Sequence, residues 1–279
     1  MKIWAHTLVK NEEKYLWYSV ASVIDYVDRL LLWDSGSTDK TINIAKEIAR
    51  RYPRKVYFRE VGKVDVLEFT KVRQNMLDET DADWFLVLDG DEVWWNDSIK
   101  NVTERIRKSG EELESIVVPV YNLVGDIYHY QEERAGLYHL AGQKGHLNLR
   151  AVNTKISGLH VEKPHGQMGY FDKDSKPIQE RDARNMAFLD TPYMHFTYLI
   201  RSSSRQKDLL VPKRDMKLKY ELGTPFAKDF YYPEVFFKPR PKIVQSPWQK
   251  MDMAFYLRAL VETPPRRIKR RLFKSKVGY

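Results

Sequence analysis

Strand and helix patterns alternate along the N-terminal third of this chain, and this alternation limits the fold more than any other feature. Short loops that join strands to helices in this order are typical of a parallel, doubly wound α/β sheet. Ligands of such sheets bind at the carboxyl ends of the strands. The strand patterns cover residues 2–9, 27–33, 55–61 and 83–88, and the helical patterns between them cover about 16–24, 38–52 and 68–80.

The pattern changes after a helix predicted over residues 97–108. We expect a β-rich insert next, because short strand patterns joined by glycine-containing turns follow it. Helical patterns then return on either side of an aromatic, proline-rich stretch that we expect to pack as an ordered loop. The predicted strands are 115–122, 136–139, 146–152 and 155–160, and the predicted helices are 203–220 and 247–261. We predict a domain of residues 1–200, a helical and aromatic extension of residues 201–263 and a basic tail of residues 264–279.

Charge and composition restrict the class of protein. The 279 residues carry a net charge of +9, but seven basic residues and no acidic residue lie beyond Thr263, so the rest of the chain is close to neutral. A near-neutral body without zinc-ligand spacing or an RNA-binding signature does not favour a nucleic-acid partner. No apolar run has the length of a transmembrane helix, no signal peptide is recognisable, and there is no cysteine. We therefore expect a cytoplasmic protein without disulfides or thiolate metal sites.

The strongest chemical signal is the run from Trp84 to Glu92, in which an apolar strand leads directly into three carboxylates around one glycine. Side chains alternate along a strand, so Asp89 and Asp91 project to the same side, and Gly90 lets a ligand approach the backbone. Carboxylate oxygens at a strand end suit Mg²⁺ or Mn²⁺ that is held together with substrate phosphates. The alternative interpretation is a solvated acidic turn that caps the next helix.

Two further elements belong to the same predicted strand edge. Asp34 ends the second strand, where its carboxylate can accept a hydrogen bond from a nucleobase imide or a ribose hydroxyl, although the residues after it also form a good turn sequence. Lys71 and Arg73 lie on the helix that precedes the acidic motif. Either cation could reach a diphosphate, and a solvated helix face is the alternative.

Four motifs, taken together and in this order, resemble those of family 2 glycosyltransferases with the GT-A fold. The nearest branch is the bacterial one that includes lipopolysaccharide-core glucosyltransferases, and the likeness covers about residues 1–165. The motifs are Val9-Lys10-Asn11-Glu12-Glu13, Asp34-Ser35-Gly36-Ser37-Thr38-Asp39, Arg73-Gln74-Asn75 and Leu88-Asp89-Gly90-Asp91-Glu92.

The resemblance implies an inverting enzyme that depends on Mg²⁺ or Mn²⁺ and uses a nucleotide-diphosphate sugar. We expect a UDP-sugar as donor and a glycan or lipid-linked acceptor of cell-envelope polysaccharide synthesis. Val9 departs from the Thr that relatives often carry, a change that a backbone contact would survive. By the same resemblance, the nucleotide sugar is bound by Leu8, Val9, Asn11, Glu12, Asp34, Arg73, Asp89 and Gly90, with Asp89 near the ribose, and the metal by Asp91 together with Asp89 and His195.

The catalytic base is expected after the β-rich insert. Relatives in this branch often carry a His-Glu pair there, and this chain has His160 and Glu162 separated by Val161. An inverting transfer needs one base that takes the proton of the acceptor hydroxyl, and we predict Glu162 for this role, with His160 second. A strand-end ion pair is the alternative interpretation. His165 is expected to line the acceptor pocket.

Other classes of function stay open at this stage. A sugar-nucleotide pyrophosphorylase needs a glycine-rich phosphate loop after its first strand, and the segment from Leu8 to Glu13 contains no glycine. A non-catalytic sugar-nucleotide-binding protein is the third possibility, and the intact carboxylates speak against it. For the tail, Pro264 and Pro265 are expected to break the preceding helix and leave a solvated basic segment that binds an anionic membrane surface. Such binding would make the enzyme peripheral on the inner face of the cell membrane, and a disordered, solubilising tail is the alternative. The apolar face of that segment is predicted to comprise Ile268, Leu272 and Phe273.

Overall fold

A nine-stranded sheet with helices on both faces forms the centre of this computed structural model, which describes residues 1–65, 67–164 and 166–272. The strands are β1 (Ile3–Val9), β2 (Arg29–Asp34), β3 (Val56–Glu60), β4 (Trp84–Val87), β5 (Glu92–Trp94), β6 (Ser115–Asn122), β7 (His129–Tyr130), β8 (Tyr138–Leu140), β9 (Gln143–Gly145), β10 (Leu147–Asn153), β11 (His160–Glu162), β12 (Gly169–Phe171), β13 (Met186–Phe188), β14 (Tyr193–His195) and β15 (Thr224–Pro225). The α-helices are α1 (Leu16–Val23), α2 (Thr41–Arg51), α3 (Glu68–Asp78), α4 (Asn96–Ser109), α5 (Arg205–Leu209), α6 (Arg214–Lys217) and α7 (Met253–Leu272). Short 3₁₀ turns lie at Glu133–Ala135, Ile178–Glu180, Ala183–Asn185 and Glu234–Phe237.

The predicted α/β class with a mostly parallel sheet is confirmed. The strand order is β3-β2-β1-β4-β10-β6-β14-β5, with β13 also paired to β6. Strands β3, β2, β1 and β4 are parallel, and the register places Val9 beside Asp34 and Asp34 beside Glu60. The carboxyl ends of β1, β2 and β3 therefore end level with one another at one edge of the sheet.

Strand β1 is buried on both faces, which explains its continuous apolar sequence. Ile3, Ala5 and Val9 belong to the main core together with α1, α2 and α4. Trp4 and Leu8 point to the opposite face, where they pack with side chains of α3. This two-sided packing makes the sheet doubly wound.

One strand prediction was wrong, and several short strands were not predicted. Strand β5 was not predicted, although it continues directly from the acidic motif and pairs with β14. Residues 155–160 were predicted as a strand, but they form turns until β11 begins at His160. Gly158 has a φ of +65°, and a side chain at this position would meet the backbone of Lys173, so the chain reverses there and cannot extend.

The prediction of one helix over residues 203–220 was also wrong. The structure has two short helices, α5 and α6, separated by Pro212 and Lys213. Proline lacks a backbone N–H, and Lys213 adopts a left-handed conformation with a φ of 63°. Both features end a helix, so the segment folds back toward the strand ends.

The predicted helix break at Pro264 and Pro265 was wrong as well, because α7 continues through both prolines to Leu272. Polar contacts on both sides of the prolines hold the helix to the body. The Thr263 hydroxyl accepts from the Leu222 N–H at 3.0 Å, and Arg270 pairs with Glu221 at 2.5 Å and with Glu132 at 3.1 Å. The first part of the predicted basic tail is therefore docked helix, and residues 273–279, with Phe273, lie outside the described residues.

The aromatic stretch between α6 and α7 packs on the body, as predicted. Phe226 and Phe230 stack with their ring centroids 3.9 Å apart, and both contact Tyr121 of β6 edge to face. No helix of the described residues combines the length and the apolar character needed to cross a bilayer.

His6 lies at the centre of the sheet, stacked on Phe85 with 4.5 Å between the ring centroids. Its Nε2 is 2.7 Å from the Thr80 hydroxyl, which itself donates to the carbonyl of Met76. The hydroxyl therefore accepts from Nε2–H, and Nδ1 carries a buried lone pair. Burial, with a smaller contribution from Arg73, lowers the pKa of His6 from 6.5 to about 3.

This lowered pKa predicts acid-sensitive stability. Between about pH 6 and pH 4 the unfolded chain binds a proton at His6 and the folded chain does not. His6 therefore lowers the free energy of unfolding by about 1.4 kcal/mol for each unit by which the pH is decreased in this range. His6→Phe removes the group and keeps the ring stack, so urea unfolding at several pH values should show a shallower loss in the variant. Parallel losses in the two proteins would contradict the assignment.

Candidate active site

The level strand ends bring the sequence motifs together around a cavity of about 670 Å³. Eight of the twelve predicted site residues line it, namely Leu8, Val9, Glu12, Arg73, Asp89, Gly90, Asp91 and His195. The other four, Asn11, Asp34, His160 and Glu162, are not among its lining residues. Seven basic side chains face the cavity against three acidic ones, so its field is positive; the basic residues are Lys10, Arg73, Arg150, Arg201, Arg214, Lys217 and Lys219.

Asp91 and His195 lie side by side in the buried wall of this cavity. The imidazole Nε2 of His195 is 3.4 Å from Asp91 Oδ2. Strand pairing causes the approach, because β14 runs beside β5 and places His195 opposite Glu92. Burial lowers the pKa of His195 although Asp91 opposes the shift, so the ring is neutral and has a lone pair for a metal. Burial disfavours the charge of Asp91, yet the Arg201 guanidinium and His195 hold its pKa well below the usual range.

Asp89 is the more exposed carboxylate of the motif, with 37% of its side chain accessible. Arg73 of α3 approaches it to 3.3 Å and Arg150 of β10 to 3.6 Å. Burial opposes the charge of Asp89, but these two guanidiniums lower its pKa. Lys71, the other cation suggested on α3, is exposed and does not line the cavity.

Gly90 has a structural reason to be glycine. A Cβ at this position would lie 2.8 Å from a methyl carbon of Val9 and 3.1 Å from Cγ of Glu12. The acidic loop therefore packs directly on the end of β1, which holds the two motifs together.

Arg150 was missed by the sequence analysis and pairs with the fully buried Glu92. The pairing of β10 with β6 shifts register between Leu149 and Ala151, so Arg150 occupies a bulge that aims its side chain into the site. Its Nε also donates to the Tyr193 hydroxyl at 2.9 Å. The available signal was an arginine between apolar residues in the middle of a predicted strand.

Arg201 and Arg214, on the segment after β14, were missed too. Arg201 pairs with Asp91 and lies 3.2 Å from Glu12, and Arg214 also pairs with Glu12. Burial raises the pKa of Glu12, and the two guanidiniums oppose that shift. Arg214 further donates to the Asn11 carbonyl at 2.6 Å, so the segment that carries α5 and α6 is fastened over the end of β1.

Asp34 serves the turn after β2 and keeps one oxygen free. Its Oδ1 accepts from the backbone N–H groups of Gly36 and Ser37 at 2.9 Å, whereas Oδ2 is buried and has no hydrogen-bond partner within the described chain. Burial raises its pKa, and the turn hydrogen bonds oppose the shift. The side chain of Asn11 instead bridges loops, because its Oδ1 accepts from Thr38 N–H at 2.7 Å and its Nδ2 donates to the Lys207 carbonyl at 2.9 Å.

His160 and Glu162 face the same side of β11, with His160 Nε2 3.4 Å from Glu162 Oε2. Their strand pairs with β12, and Gly169, the register partner of Glu162, lines the cavity. The hairpin thus reaches the cavity while the two side chains are half-exposed beside it. His165 lies outside the described residues.

The donor set fits a divalent cation. Ligand atoms of Asp89, Glu92 and His195 lie within 4.8 Å of one another. Asp91 Oδ1 is buried without a hydrogen-bond partner among the residues described, so it has a lone pair available. Glu92 is engaged by Arg150 and by the Tyr193 hydroxyl at 3.1 Å, and Asp89 and Asp91 also have arginine partners, so a cation bound here would compete with guanidinium groups for each carboxylate. Carboxylate and imidazole together suit Mn²⁺, and the carboxylates suit Mg²⁺.

A second and larger cavity has a volume of about 1000 Å³, and some of its lining residues are sequence neighbours of residues that line the first, such as Tyr121 next to Asn122 and Leu147 next to Asn148. It contains none of the predicted site residues. Aromatic and basic side chains are among those that line it, including Tyr121, Tyr130, Phe188, Arg134, Lys144, Arg270 and Arg271.

The sheet, the strand-end carboxylates and the basic cavity are those of an α/β enzyme that binds a phosphorylated ligand. The model of glycosyl transferase family 2 matches residues 6–176, which is more than half of the chain. The chain therefore belongs to family 2, and it is a glycosyltransferase. The resemblance seen in its sequence motifs is thereby confirmed.

Solved structures with a similar fold are more distant. One is S. aureus TarS 1–349 in complex with UDP-GlcNAc, at 14% identity and a TM-score of 0.44, covering 78% of this chain and 70% of that one. A second structure of S. aureus TarS has 14% identity and a TM-score of 0.42, with 80% of this chain and 44% of that chain covered. Glucosyl-3-phosphoglycerate synthase from Mycobacterium tuberculosis with Mn²⁺ and UDP-glucose has 15% identity and a TM-score of 0.44, with 70% and 71% covered. No curated protein matches the chain.

The Arg150–Glu92 pair predicts a large stability effect. Arg150→Met leaves a buried carboxylate without its cation and should lower the free energy of unfolding by about 3–5 kcal/mol in urea titrations. Adding Glu92→Gln should recover part of this loss, since the unpaired charge is then removed. Lys155→Met is the control, because it breaks the exposed pair with Glu111 and should change stability by less than about 1 kcal/mol. Equal effects of Arg150→Met and Lys155→Met would contradict this assignment.

Proposed function

We propose that this enzyme transfers a sugar, with inversion and in a single displacement, from a nucleotide-diphosphate donor to a hydroxyl group of a glycan or lipid-linked acceptor. The carrying observation is the strand-end cavity in which Asp89, Asp91 and His195 face a surplus of basic side chains. A diphosphate and a divalent cation together match this mixture of charges, because the cations neutralise the phosphates and the carboxylates hold the metal.

The leaving diphosphate is bound from two sides in this proposal. Arg73 and Arg150 approach from α3 and β10, and Arg201 and Arg214 from the segment after β14. Asp91, His195 and Asp89 would hold Mg²⁺ or Mn²⁺, which when bound supplies charge stabilisation to the departing diphosphate. Arg201 now neutralises Asp91, so donor binding would redirect this guanidinium toward phosphate oxygens.

The nucleoside is assigned to the ends of β1 and β2. The free Oδ2 of Asp34 is a buried acceptor that an imide N–H of uracil or a ribose hydroxyl can satisfy. Leu8 and Val9 offer apolar contact from the cavity wall, and Glu12 and Asn11 hold the surrounding loops. A UDP-sugar is therefore the donor that we propose, with Asp89 near its ribose.

Glu162 is proposed as the base, with His160 as the second candidate. Of the three carboxylates that line the cavity, Asp89 and Asp91 have their pKa lowered by arginines and are poorly suited to accept a proton. Glu12 is held between Arg201 and Arg214 and is not free to approach an acceptor. Glu162 contacts the ring of His160 and sits on the β11–β12 hairpin, whose residues Gly166 and Met168 reach the cavity. Deprotonation of the acceptor hydroxyl there would let it attack the anomeric carbon from the face opposite the diphosphate.

We retain the predicted boundary between the domain of residues 1–200 and the extension that follows it, with one change. The segment from Arg201 to Lys219 contributes four cations to the cavity, so we assign it to the active site. We also propose a cytoplasmic enzyme of cell-envelope polysaccharide synthesis that is peripheral to the membrane.

The function is tested with a panel of UDP-, GDP- and dTDP-sugars in the presence of Mn²⁺. A glycosyltransferase should slowly hydrolyse its own donor and release nucleoside diphosphate without pyrophosphate. Formation of nucleoside triphosphate from donor and added pyrophosphate would instead identify a pyrophosphorylase. Donor binding without any turnover would identify a binding protein.

The metal assignment predicts that Asp91→Asn lowers donor turnover by at least about a hundredfold, because a ligand of the leaving-group metal is lost. Mn²⁺ binding, measured by calorimetry with UDP present, should weaken in parallel. Thermal unfolding of the variant shows whether the loss of the Asp91–Arg201 pair has destabilised the fold. Asp81→Asn is the matched control. Asp81 precedes β4, is exposed and pairs with Lys2, so its substitution should leave turnover unchanged. Turnover of Asp91→Asn within about threefold of wild type would refute the assignment.

The base assignment predicts a different pattern. Glu162→Gln keeps the shape of the side chain but cannot accept a proton, so the transfer rate should fall about 10²–10⁴-fold while donor affinity stays the same. Glu111→Gln, an exposed residue paired with Lys155, is the control and should transfer at the wild-type rate. A larger loss in His160→Ala than in Glu162→Gln would assign the base to His160 instead.

A further inference from the structure

The solvent face of α7 carries large apolar side chains near both of its ends. Seven large apolar side chains of this helix are exposed, with accessible fractions from 42% to 75%: Met253, Tyr256, Leu257, Leu260, Val261, Ile268 and Leu272. A surface helix ordinarily places polar residues on this side. The arrangement therefore marks an interaction surface, which we call the α7 stripe.

Helix geometry places these residues on one side. They recur at intervals of three or four residues, with Pro264 and Pro265 between the two groups, so they form a continuous band about 30 Å long. The opposite side is docked on the body through the buried Ala259 and Thr263 and through Arg270. The α7 stripe is thus held outward by contacts on the other face.

Basic residues flank the α7 stripe. Arg258, Lys269 and Arg271 are exposed beside it, and Arg266 and Arg267 are half-buried. The acidic residue of the helix, Glu262, is paired with Arg258 at 2.6 Å and with Arg266 at 2.6 Å. An apolar band with cations along its edges matches the headgroup region of an anionic bilayer, where acyl chains and phosphates lie next to each other.

We propose that the α7 stripe docks in the plane of an anionic membrane. The helix does not meet the requirement for crossing a bilayer, so it lies on the surface. A second copy of this chain is the competing occupant, but two α7 helices would bring their basic edges together with no acidic patch opposite. This inference rests on the proposed function, because membrane docking serves the reaction if the acceptor is lipid-linked.

The position of α7 explains how docking would serve the reaction. Its last turns carry Arg270 and Arg271, which line the larger of the two cavities. A protein docked through the α7 stripe presents that cavity at the level of the headgroups. A membrane-bound acceptor could then enter without leaving the bilayer.

The test is co-sedimentation of the full chain with vesicles of phosphatidylglycerol and phosphatidylcholine, compared with vesicles of phosphatidylcholine alone. Leu257→Glu combined with Val261→Glu should reduce partition onto the anionic vesicles by about a hundredfold, because two exposed apolar side chains that would insert into the bilayer become charged. The matched control is Tyr231→Glu with Phe237→Glu, which changes two equally exposed apolar residues elsewhere and should bind as wild type. Lys269→Gln should weaken binding and its salt dependence.

The outcomes separate the alternatives. Equal binding of the α7 variant and wild type, or no binding of either, overturns the proposal. A wild-type dimer that the α7 variant converts to monomer, without vesicle binding, assigns the α7 stripe to a second copy and overturns it as well. Donor hydrolysis in the absence of vesicles should be unchanged in the α7 variant, so loss of membrane binding is distinguished from failure of the proposed glycosyl transfer.

Discussion

Four carboxylates meet at the ends of β1 and β4, and the arginines that neutralise them hold the site together. Glu12, Asp89, Asp91 and Glu92 would repel one another if unpaired. Arg201 joins Asp91 across 110 residues of sequence, and removal of one partner from such a buried pair costs about 3–5 kcal/mol. The charge that suits the cavity to a metal and a diphosphate is therefore also what fastens the segment after β14 onto the sheet.

The half of the site that follows directly from strand ends could be predicted from the sequence. Alternating strand and helix patterns identify β1, β2 and β4, and polar residues that follow buried strands must gather at one edge of a parallel sheet. This logic located Asp89 and Asp91 around the cavity. For Asp34 the same logic predicted its position at the strand end but not its contacts. One carboxylate oxygen accepts hydrogen bonds from the turn, and the other is buried.

The arginines could not be predicted in the same way. Arg150 enters the site through a bulge, and Arg201 and Arg214 enter because Pro212 and Lys213 fold their segment back. The bulge and the fold-back both depend on contacts between segments that are distant in sequence, and local periodicity does not encode such contacts. The same holds for α7, where contacts with Glu221 and Glu132 outweigh the helix-breaking tendency of two prolines.

Those prolines also limit how deeply α7 can enter an apolar medium. Each lacks the N–H that would donate to the carbonyl four residues earlier, so the carbonyls of Leu260 and Val261 lose their helical donors. These two residues lie in the middle of the exposed apolar band. Carbonyls without donors require water or lipid headgroups, since hydrocarbon offers neither. In the docking that we propose, the helix would therefore rest at the wet boundary of the bilayer, and its own backbone would keep it from sinking below that depth.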